Sequence, residues 1–244
     1  ETLPKYSICE NVTGFLSVNG GRDFQRAQDA FNTLKHYYNT YINVVNPLDI
    51  GGNTNRSRVF FIHIRKDVNQ EFNFPEIVGT TKCIKDCLIE DVEHTYINED
   101  ELIAFPKSIE EQRGKLRKDY LWTGTKREAD KRVFNINYPA PTITRSGHLL
   151  IYDGTGVRKL TVDELKNVQG FGDELSFEGL SNTQIKSQLG NTMEFETMNK
   201  LIGEILRIDN LHRAAQSNLV AVNNELNIPE SANNSLFNNR RRAS

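Results

Sequence analysis

The chain has few cysteines, no long apolar run and no large excess of charge of either sign. Its three cysteines do not make the disulfide framework of a small secreted protein. No apolar run is long enough to span a membrane and no signal peptide is visible, so we expect a soluble, cytoplasmic protein. The net charge of −2 favours no class of partner. The chain begins at Glu1 rather than Met, which indicates processing or a piece of a longer protein.

Two of the cysteines, Cys83 and Cys87, stand four residues apart on a short helix predicted over Thr80 to Glu90. Together with His94 they would supply three metal ligands. The spacing is not a zinc pattern, however, and a fourth ligand is missing. We therefore expect no metal site and interpret both cysteines as core residues.

Charge is distributed unevenly in the middle of the chain. Residues 86–111 carry nine acidic side chains and one lysine, whereas residues 112–134 carry eight Lys or Arg against three acidic side chains. Three aromatic residues, Tyr120, Trp122 and Phe134, are interleaved with the basic ones. The two blocks predict two surfaces that face different partners.

The N-terminal region reads as three strands and a helix. Tyr6 to Cys9 predicts a short strand that runs into Glu10, and Tyr38 to Asn46 predicts a second strand. Val59 to Ile64 is too short for a helix and dense enough in apolar residues to be a strand buried on both faces. A carboxylate at a strand end lies where α/β sheets place their chemistry, although a solvated or capping role for Glu10 is the alternative.

Two arginines, Arg56 and Arg58, stand just before the apolar strand. On an extended segment residues i and i+2 point the same way, a geometry suited to gripping a phosphate or a base carbonyl. The alternative is a solvated pair beside the sheet.

The C-terminal third predicts three capped helices. Thr161 with Glu164 and Ser181 with Gln184 have the spacing of capping boxes, and Gly170 and Gly190 are placed to end the two helices. The third helix is predicted to begin at Asn191-Thr192, with an apolar face made by Met198, Leu201, Ile202 and Ile205.

These segments together resemble the cytosine-5 DNA methyltransferases. The resemblance runs from Pro4 to about Ile208 and rests on four groups of motifs in the family's order. They are Leu3-Pro-Lys-Tyr6 with Glu10-Asn11-Val12; Arg56-Ser57-Arg58; Ala140-Pro-Thr142-Ile143; and Arg158-Lys-Leu-Thr161, Gln169-Gly-Phe171 and Gly190-Asn191. The chain departs from the family where Thr54 replaces a glutamine and Asn53 a common proline.

The resemblance implies an α/β fold. It implies the C-terminal part of a Rossmann-like S-adenosylmethionine-dependent methyltransferase sheet plus a small irregular target recognition domain. Residues 1–65 would be catalytic-domain strands, 66–150 the target recognition domain, 151–222 the closing motifs and helices, and 223–244 a polar tail. The implied activity is methyl transfer from S-adenosylmethionine to carbon 5 of a flipped cytosine in duplex DNA, in a bacterial or phage-encoded restriction-modification system.

The resemblance also implies roles for individual residues. Glu10 would hold the cytosine at ring N3 and the exocyclic amine, which requires a desolvated carboxyl with a raised pKa. Arg58 is expected at the cytosine O2, and Arg56 at a phosphate or at the nucleophile's loop. Asn191 and Thr192, at the predicted helix N-terminus, would bind the cofactor's carboxylate. The residues expected at DNA are Trp122, Lys126, Arg127, Lys131, Arg132, Thr142 and Arg145.

Two features of the family are missing from this sequence. There is no Phe-x-Gly-x-Gly loop for the cofactor and no Pro-Cys nucleophile, and Cys9 would point to the opposite face from Glu10. The predicted strands would also leave an apolar edge uncovered at Tyr6 to Cys9. We therefore expect a second polypeptide that carries the cofactor loop and the cysteine, unless a longer chain was cut at Glu1.

Two other classes of function stay open at this point. One is a non-catalytic DNA-binding subunit or a degenerate fragment. The other is an RNA cytosine-5 methyltransferase, although the long segment 66–150 favours DNA.

Overall fold

The fold is described here from a computed structural model. The structure describes residues 3–90, 93–97, 120–123, 132–145 and 149–225, with the backbone alone at 120–123, 132 and 222–225. The architecture is mixed α/β, with small sheets packed against helices. Within the described residues no helix combines the length and the apolar content of a membrane span.

The first sheet is antiparallel and has the strand order β1-β4-β2. Its strands are β1 (Tyr6–Val12), β2 (Tyr38–Val45) and β4 (Arg58–Arg65). The central strand β4 is buried from Val59 to Ile64, which confirms the prediction of a strand covered on both faces. β1 extends to Val12, so Glu10 lies within the strand rather than at its end. In the described part of the chain β1 pairs with β4 alone, which leaves its other edge unpaired.

Alternation along β4 sends its side chains into two separate layers. Phe60, Ile62 and Ile64 pack against Leu201 and Ile208 of the C-terminal helix. Phe61 and His63 face the other way, toward α1 (Arg22–Asn32), where Phe24 and Phe31 contact them. The sheet is therefore covered by one helix on each face.

A second apolar core joins the middle of the chain to the closing helices. Its sheet has the order β5-β6-β8-β9, in which β8 and β9 form a hairpin around Asp153-Gly154. The strands are β5 (Tyr120–Thr123), β6 (Arg132–Asn135), β8 (Leu150–Tyr152) and β9 (Val157–Lys159). A short parallel pairing joins β3 (Thr54–Asn55) to β7 (Ala140–Pro141). The core lies between this region and two helices, α2 (Val162–Val168) and α3 (Asn182–Asn191).

Both predicted capping boxes are confirmed. The Thr161 hydroxyl accepts from the Glu164 amide at 3.1 Å, and the Ser181 hydroxyl accepts from the Gln184 amide at 3.4 Å. The turn after α2 contains Gly170 at a φ of 81°, the left-handed conformation predicted for it. These local signals predicted the starts of α2 and α3 correctly because their partners are only three residues apart.

The predicted boundary after α3 is wrong. Gly190 lies inside α3, and Asn191 is the last residue of that helix rather than the start of the next. The final helix, α4, spans Phe195–Glu225. Its buried face includes Leu201 and Ile208, whereas Ile202 is 42% exposed and does not lie on that face. Beyond Glu225 the predicted polar tail lies outside the described residues.

The prediction of a helix over Thr80 to Glu90 is also wrong. The described structure there is a single 3-10 turn, Ile84–Cys87. Cys87 is buried in the second core, as predicted, and burial raises the pKa of its thiol to about 12. Cys83 is only half-buried, with its thiol 3.2 Å from an Asp86 carboxylate oxygen.

A buried ion pair anchors the hairpin to α2. Arg158 is 2% exposed, and its guanidinium donates to both carboxylate oxygens of Glu164, at 2.8 and 2.9 Å. Asp153 accepts from the same guanidinium at 2.6 Å. Burial acts to raise the pKa of Glu164, but Arg158 and the backbone donors Thr161 and Ile89 outweigh it, so the pKa is lowered. The pair remains charged and links α2 to the hairpin.

Candidate active site

Glu10 and Arg58 form an ion pair on the face of the sheet that carries α4. Glu10 is directly opposite Phe60 in the register, and Arg58 is opposite Val12, so the two charged residues are diagonal neighbours on one face. Their side chains meet at 2.8 Å between Arg58 Nε and Glu10 Oε1. The Glu10 side chain is 33% exposed and that of Arg58 is 13% exposed. In this chain Glu10 is therefore open to solvent, and the desolvation predicted for it requires something that covers it.

Cys9 is turned away from this pair. It lies opposite Phe61 in the register, and Phe61 packs on the α1 side of the sheet. Its thiol lies 3.9 Å from the Ser7 hydroxyl on that same side. Cys9 therefore cannot act together with Glu10, as the alternation of side chains predicted.

Arg56 has partners other than those of Arg58. It is 8% exposed and lies before β4 begins, with its backbone amide donating to Thr54 at 3.0 Å. Its Nη1 donates to the Ile143 carbonyl at 3.1 Å and its Nη2 to the Gly190 carbonyl at 3.2 Å. Burial lowers the pKa of this guanidinium, and the neighbouring charge of Arg58 acts in the same direction.

The two arginines thus do not converge on one ligand in this structure. Arg56 connects three distant segments of the chain through backbone carbonyls. Its expected contact with a phosphate or with the nucleophile's loop stays a prediction.

The loop before Arg56 carries the departures from the family pattern. Thr54 is fully buried and its hydroxyl has no hydrogen-bond partner among the described residues. Asn53 donates from its side chain to the Cys87 sulfur at 2.7 Å, while its side-chain oxygen has no partner there. The substituted residues therefore leave buried polar atoms unsatisfied, which is costly unless another group reaches them.

Asn191 and Thr192 occupy a different place from the one predicted. The Thr192 amide donates to the Gln188 carbonyl at 2.9 Å, which closes the C-terminal end of α3. The negative end of the helix dipole lies there, so it does not attract a carboxylate. The helix N-terminus argument for cofactor binding by these two residues is therefore wrong. Asn191 is exposed, and its amide remains available to a ligand.

Glu194 is a buried carboxylate that was not among the site residues predicted from the sequence. It is 1% exposed and accepts from the Thr197 amide at 2.9 Å and hydroxyl at 3.2 Å, which caps α4. A Cβ on Gly52 would lie 2.6 Å from its Oε1, so the glycine permits this approach. Burial raises the pKa of Glu194. The Gly51-Gly52 doublet is the sequence signal that could have indicated a close approach here, although it does not identify the partner.

Only part of the predicted DNA surface falls within the described residues. Thr142 donates from its hydroxyl to the Asn55 carbonyl at 2.6 Å, and Arg145 donates to the Ser187 hydroxyl at 3.2 Å. The segment that contains both residues therefore lies against the Arg56 loop and α3. The side chains of Trp122 and Arg132, and the whole of Lys126, Arg127 and Lys131, lie outside the described residues.

Comparison with known proteins shows the family of the chain. The family model for C-5 cytosine-specific DNA methylase matches residues 1–207. The type II methyltransferase M.HhaI of Haemophilus parahaemolyticus is 29% identical over 205 residues, which are 79% of this chain and 60% of that protein. The orphan methyltransferase M.SssI of Spiroplasma monobiae is 26% identical over 211 residues, covering 83% of this chain and 53% of that protein. The chain thus spans somewhat more than half the length of these relatives.

Solved structures resemble the fold as well. The Entamoeba histolytica methyltransferase EhMeth has a TM-score of 0.59 at 18% identity, covering 85% of this chain and 63% of that one. The S. pombe Dnmt2 methyltransferase has a TM-score of 0.55 at 18% identity, covering 86% of this chain and 68% of that one. With the family model matched along most of its length, this chain belongs to the C-5 cytosine-specific DNA methylase family.

Proposed function

We propose that this chain is the recognition half of a DNA (cytosine-5-)-methyltransferase that works with a second polypeptide. The observation that carries the proposal is the Glu10–Arg58 pair, a carboxylate and a guanidinium 2.8 Å apart on the neighbouring strands β1 and β4. Among the described residues the other edge of β1 has no strand partner. Membership of the family supports the class of reaction. The named relatives are type II and orphan methyltransferases, which supports a bacterial or phage-encoded restriction-modification role in the cytoplasm.

The paired side chains suit one edge of a cytosine. Ring N3 lies between O2 and the exocyclic amine, so a guanidinium at O2 and a carboxyl at N3 and the amine must be neighbours. Arg58 would donate to O2, while Glu10 would accept from the amine and, when protonated, donate to N3. The diagonal register of β1 and β4 makes the two groups neighbours, which supports this assignment.

Duplex DNA is the proposed substrate, and the target base must leave the stack to reach Glu10. Unstacking costs a few kcal/mol, which contacts from the recognition segment would offset. Thr142 and Arg145 lie on a segment tied to the Arg56 loop, so DNA contacts there would be positioned relative to the site. The basic stretch 112–134 would supply further phosphate contacts.

S-adenosylmethionine would supply the methyl group. In this chain the exposed amide of Asn191 fits hydrogen bonding to the cofactor's carboxylate, and Thr192 would lie beside it. These two residues could hold only one end of the cofactor. The sequence contains no Phe-x-Gly-x-Gly loop and no Pro-Cys dipeptide, so the second polypeptide, or a further part of a longer chain, would supply both.

The second polypeptide would continue the sheet at β1. An unpaired strand edge is a template for another strand, and natural proteins cover such edges. The outward side of α4 also carries exposed apolar side chains, Ile202 at 42% and Leu206 at 57%. A contact that covers both would resemble an obligate interface, which typically exceeds roughly 2,000 Å². Covering β1 would also provide the desolvation that Glu10 requires.

The test is methyl transfer by the chain combined with its candidate partner. Glu10→Gln should keep DNA binding while methyl transfer falls by a factor on the order of 10² or more, because the general acid is lost. Glu178→Gln, at an exposed carboxylate, is the matched control and should keep wild-type turnover. The chain alone should transfer no methyl group.

Three outcomes would contradict the proposal. Wild-type turnover in Glu10→Gln would remove Glu10 from the site. Methyl transfer by the chain alone would refute the second polypeptide. DNA binding without transfer in the presence of a partner that carries the missing motifs would identify a non-catalytic subunit instead.

A further inference from the structure

Glu194 is a buried carboxylate whose two oxygens serve different parts of the chain. Its Oε2 accepts from the amide and the hydroxyl of Thr197 and thereby caps α4. Its Oε1 lies between two glycines, 2.6 Å from a Cβ built on Gly52 and 3.5 Å from one built on Gly170. The side chain therefore joins the start of α4 to the loop that leads into β4 and to the turn after α2.

Helix capping alone does not explain a glutamate at this position. The residues preferred at a helix N-cap are Ser, Thr, Asp and Asn, whose short side chains already reach the amides of the first turn. Burial of a carboxylate is also unfavourable. Burial raises the pKa of Glu194 and the charge of Glu196 acts in the same direction, whereas the amides of Thr197 and Asn53 act against them. The longer side chain is needed for the second contact, the one with Gly52.

The residues just before Glu194, 191–193, form a short segment that is held where it begins. The Gly190 carbonyl accepts from Arg56 Nη2 at 3.2 Å, and the Leu189 carbonyl accepts from the Gln169 side chain at 2.5 Å. The first donor belongs to the loop that leads into β4, and the second belongs to the turn after α2.

The same loop and the same turn hold the other end of the segment. The Phe195 amide donates to the Gln169 carbonyl at 2.9 Å, and Glu194 lies against Gly52 of the loop. Between these two attachments Asn191 is exposed. The segment is thus fixed at both ends and accessible to a ligand in its middle.

We propose that Glu194 is a positioning residue for the methyl donor, because it fixes segment 191–193 against the loop that leads into β4. The inference rests on the proposed function, in which Asn191 and Thr192 bind the carboxylate of S-adenosylmethionine. Glu194 itself is too deeply buried to touch the ligand, since it is 1% exposed. It acts through the backbone on either side of it. A segment that is already ordered loses less conformational entropy when the ligand binds.

Glu194→Asp separates this role from helix capping. Aspartate is a preferred N-cap and keeps the bond to Thr197, but its side chain is one methylene shorter and withdraws from Gly52. Glu196→Asp is the matched control, the same change two residues further along, at a half-buried carboxylate that pairs with Lys200. Circular dichroism verifies that each variant folds. Glu194→Gln, which keeps the length but places an amide against the loop, replaces Glu194→Asp if that variant does not fold.

Amide hydrogen exchange of the full chain tests the fixation without a partner or a cofactor. The amides of Thr192 and Phe195 should exchange at least about tenfold faster in Glu194→Asp than in the wild type, because their hydrogen bonds open when the segment is released. Amides in the middle of α4 should keep their wild-type rates, and Glu196→Asp should change neither group. Unchanged exchange of the Thr192 and Phe195 amides overturns the inference.

Calorimetric titration of S-adenosylmethionine into the assembled enzyme, this chain combined with its candidate partner, tests the role in binding. Glu194→Asp should raise the Kd about tenfold, the factor that corresponds to fixing the backbone of one residue. DNA affinity should not change, since phosphate contacts dominate it. The KM for the cofactor should rise while kcat stays near the wild-type value.

The possible failures of this test can be distinguished. A wild-type Kd in Glu194→Asp would reduce Glu194 to a helix cap and overturn the inference, while the proposed function would stand. Equal losses of cofactor and DNA affinity would also overturn it, because they indicate a general loss of structure. If the assembled wild type binds no S-adenosylmethionine, the proposed function itself is refuted, and the inference with it.

Discussion

Gly190 offers a sharp test of how α3 meets the segment that carries Thr142 and Arg145. A Cβ built on Gly190 would lie 2.2 Å from the Thr144 carbonyl oxygen, 2.5 Å from its carbon and 2.7 Å from the Arg145 Cα. All three atoms belong to the backbone, so no rotation of a side chain relieves the overlap. An ordinary contact requires about 3.5 Å, so Gly190→Ala must move α3 and this segment apart by roughly 1 Å.

The loss of stability in Gly190→Ala follows from the contacts that this separation disturbs. Overpacking of a close contact costs about 1–3 kcal/mol. Arg56 donates to both sides of the contact, to Gly190 at 3.2 Å and to Ile143 at 3.1 Å. Hydrogen bonds from a charged group contribute about 1.5–3 kcal/mol each, and opening the contact lengthens at least one of them. We therefore expect Gly190→Ala to lower the free energy of unfolding by about 3–5 kcal/mol.

Gly203→Ala is the matched control for this change. Gly203 lies within α4, and a Cβ there would meet nothing within 4 Å. The substitution should raise the free energy of unfolding by about 0.5–1 kcal/mol, the usual gain for glycine to alanine in a helix. Urea unfolding followed by circular dichroism measures both variants. If Gly190→Ala unfolds within about 1 kcal/mol of the wild type, the close approach of α3 to Thr144 is refuted.

The remaining predictions concern charged groups. Burial lowers the pKa of His63, so the unfolded chain takes up a proton that the folded chain does not. The free energy of unfolding should therefore fall as the pH drops below about 6.5, by up to about 1.4 kcal/mol per pH unit, and His63→Gln should flatten this dependence in urea unfolding at several pH values. Glu164→Gln should lower the free energy of unfolding in urea by roughly 3 kcal/mol, because it removes a carboxylate from the buried guanidinium of Arg158. The control Glu178→Gln, at an exposed residue, should lower it by less than about 1 kcal/mol, and an equally small effect of Glu164→Gln would refute the buried pair. The third variant replaces four basic residues by alanine, namely Lys126, Arg127, Lys131 and Arg132. In DNA titrations at several salt concentrations, it should reduce the slope of log affinity against log salt by up to about 0.9 for each phosphate that is no longer bound. An unchanged slope would mean that these side chains are only a solvated surface.

Local sequence determined much of the secondary structure. The starts of α2 and α3 were predictable because Thr161 and Ser181 bond to groups three residues away. The strand from Val59 to Ile64 was predictable because a short, dense apolar run fits a buried strand. The family motifs also drew attention to Glu10 and Arg58, whose roles stay predictions, and their pairing follows once β1 and β4 are known to be adjacent.

Gly190 marks where local signals stop being sufficient. A glycine near the end of a helix usually signals its termination, and the residues around Gly190 did not reveal which distant segment packs against it. In the structure the same residue lies inside α3. A glycine is needed at this position because Thr144 approaches too closely for any side chain. The start of α4 was misplaced for the same reason, since the cap is Glu194 and its burial depends on Gly52, far away in the chain.

Only the tertiary structure decided the partners of the charged residues and the order of the strands. Arg56 bonds to carbonyls 87 and 134 residues away, so its neighbours along the chain carried no information about these partners. The order β1-β4-β2 likewise makes the last of these strands in the chain the central one, and among the described strands it leaves β1 and β2 at the edges. The physical reason is that capping and alternation act over a few residues, whereas burial, close approach and strand order depend on which distant segments pack together.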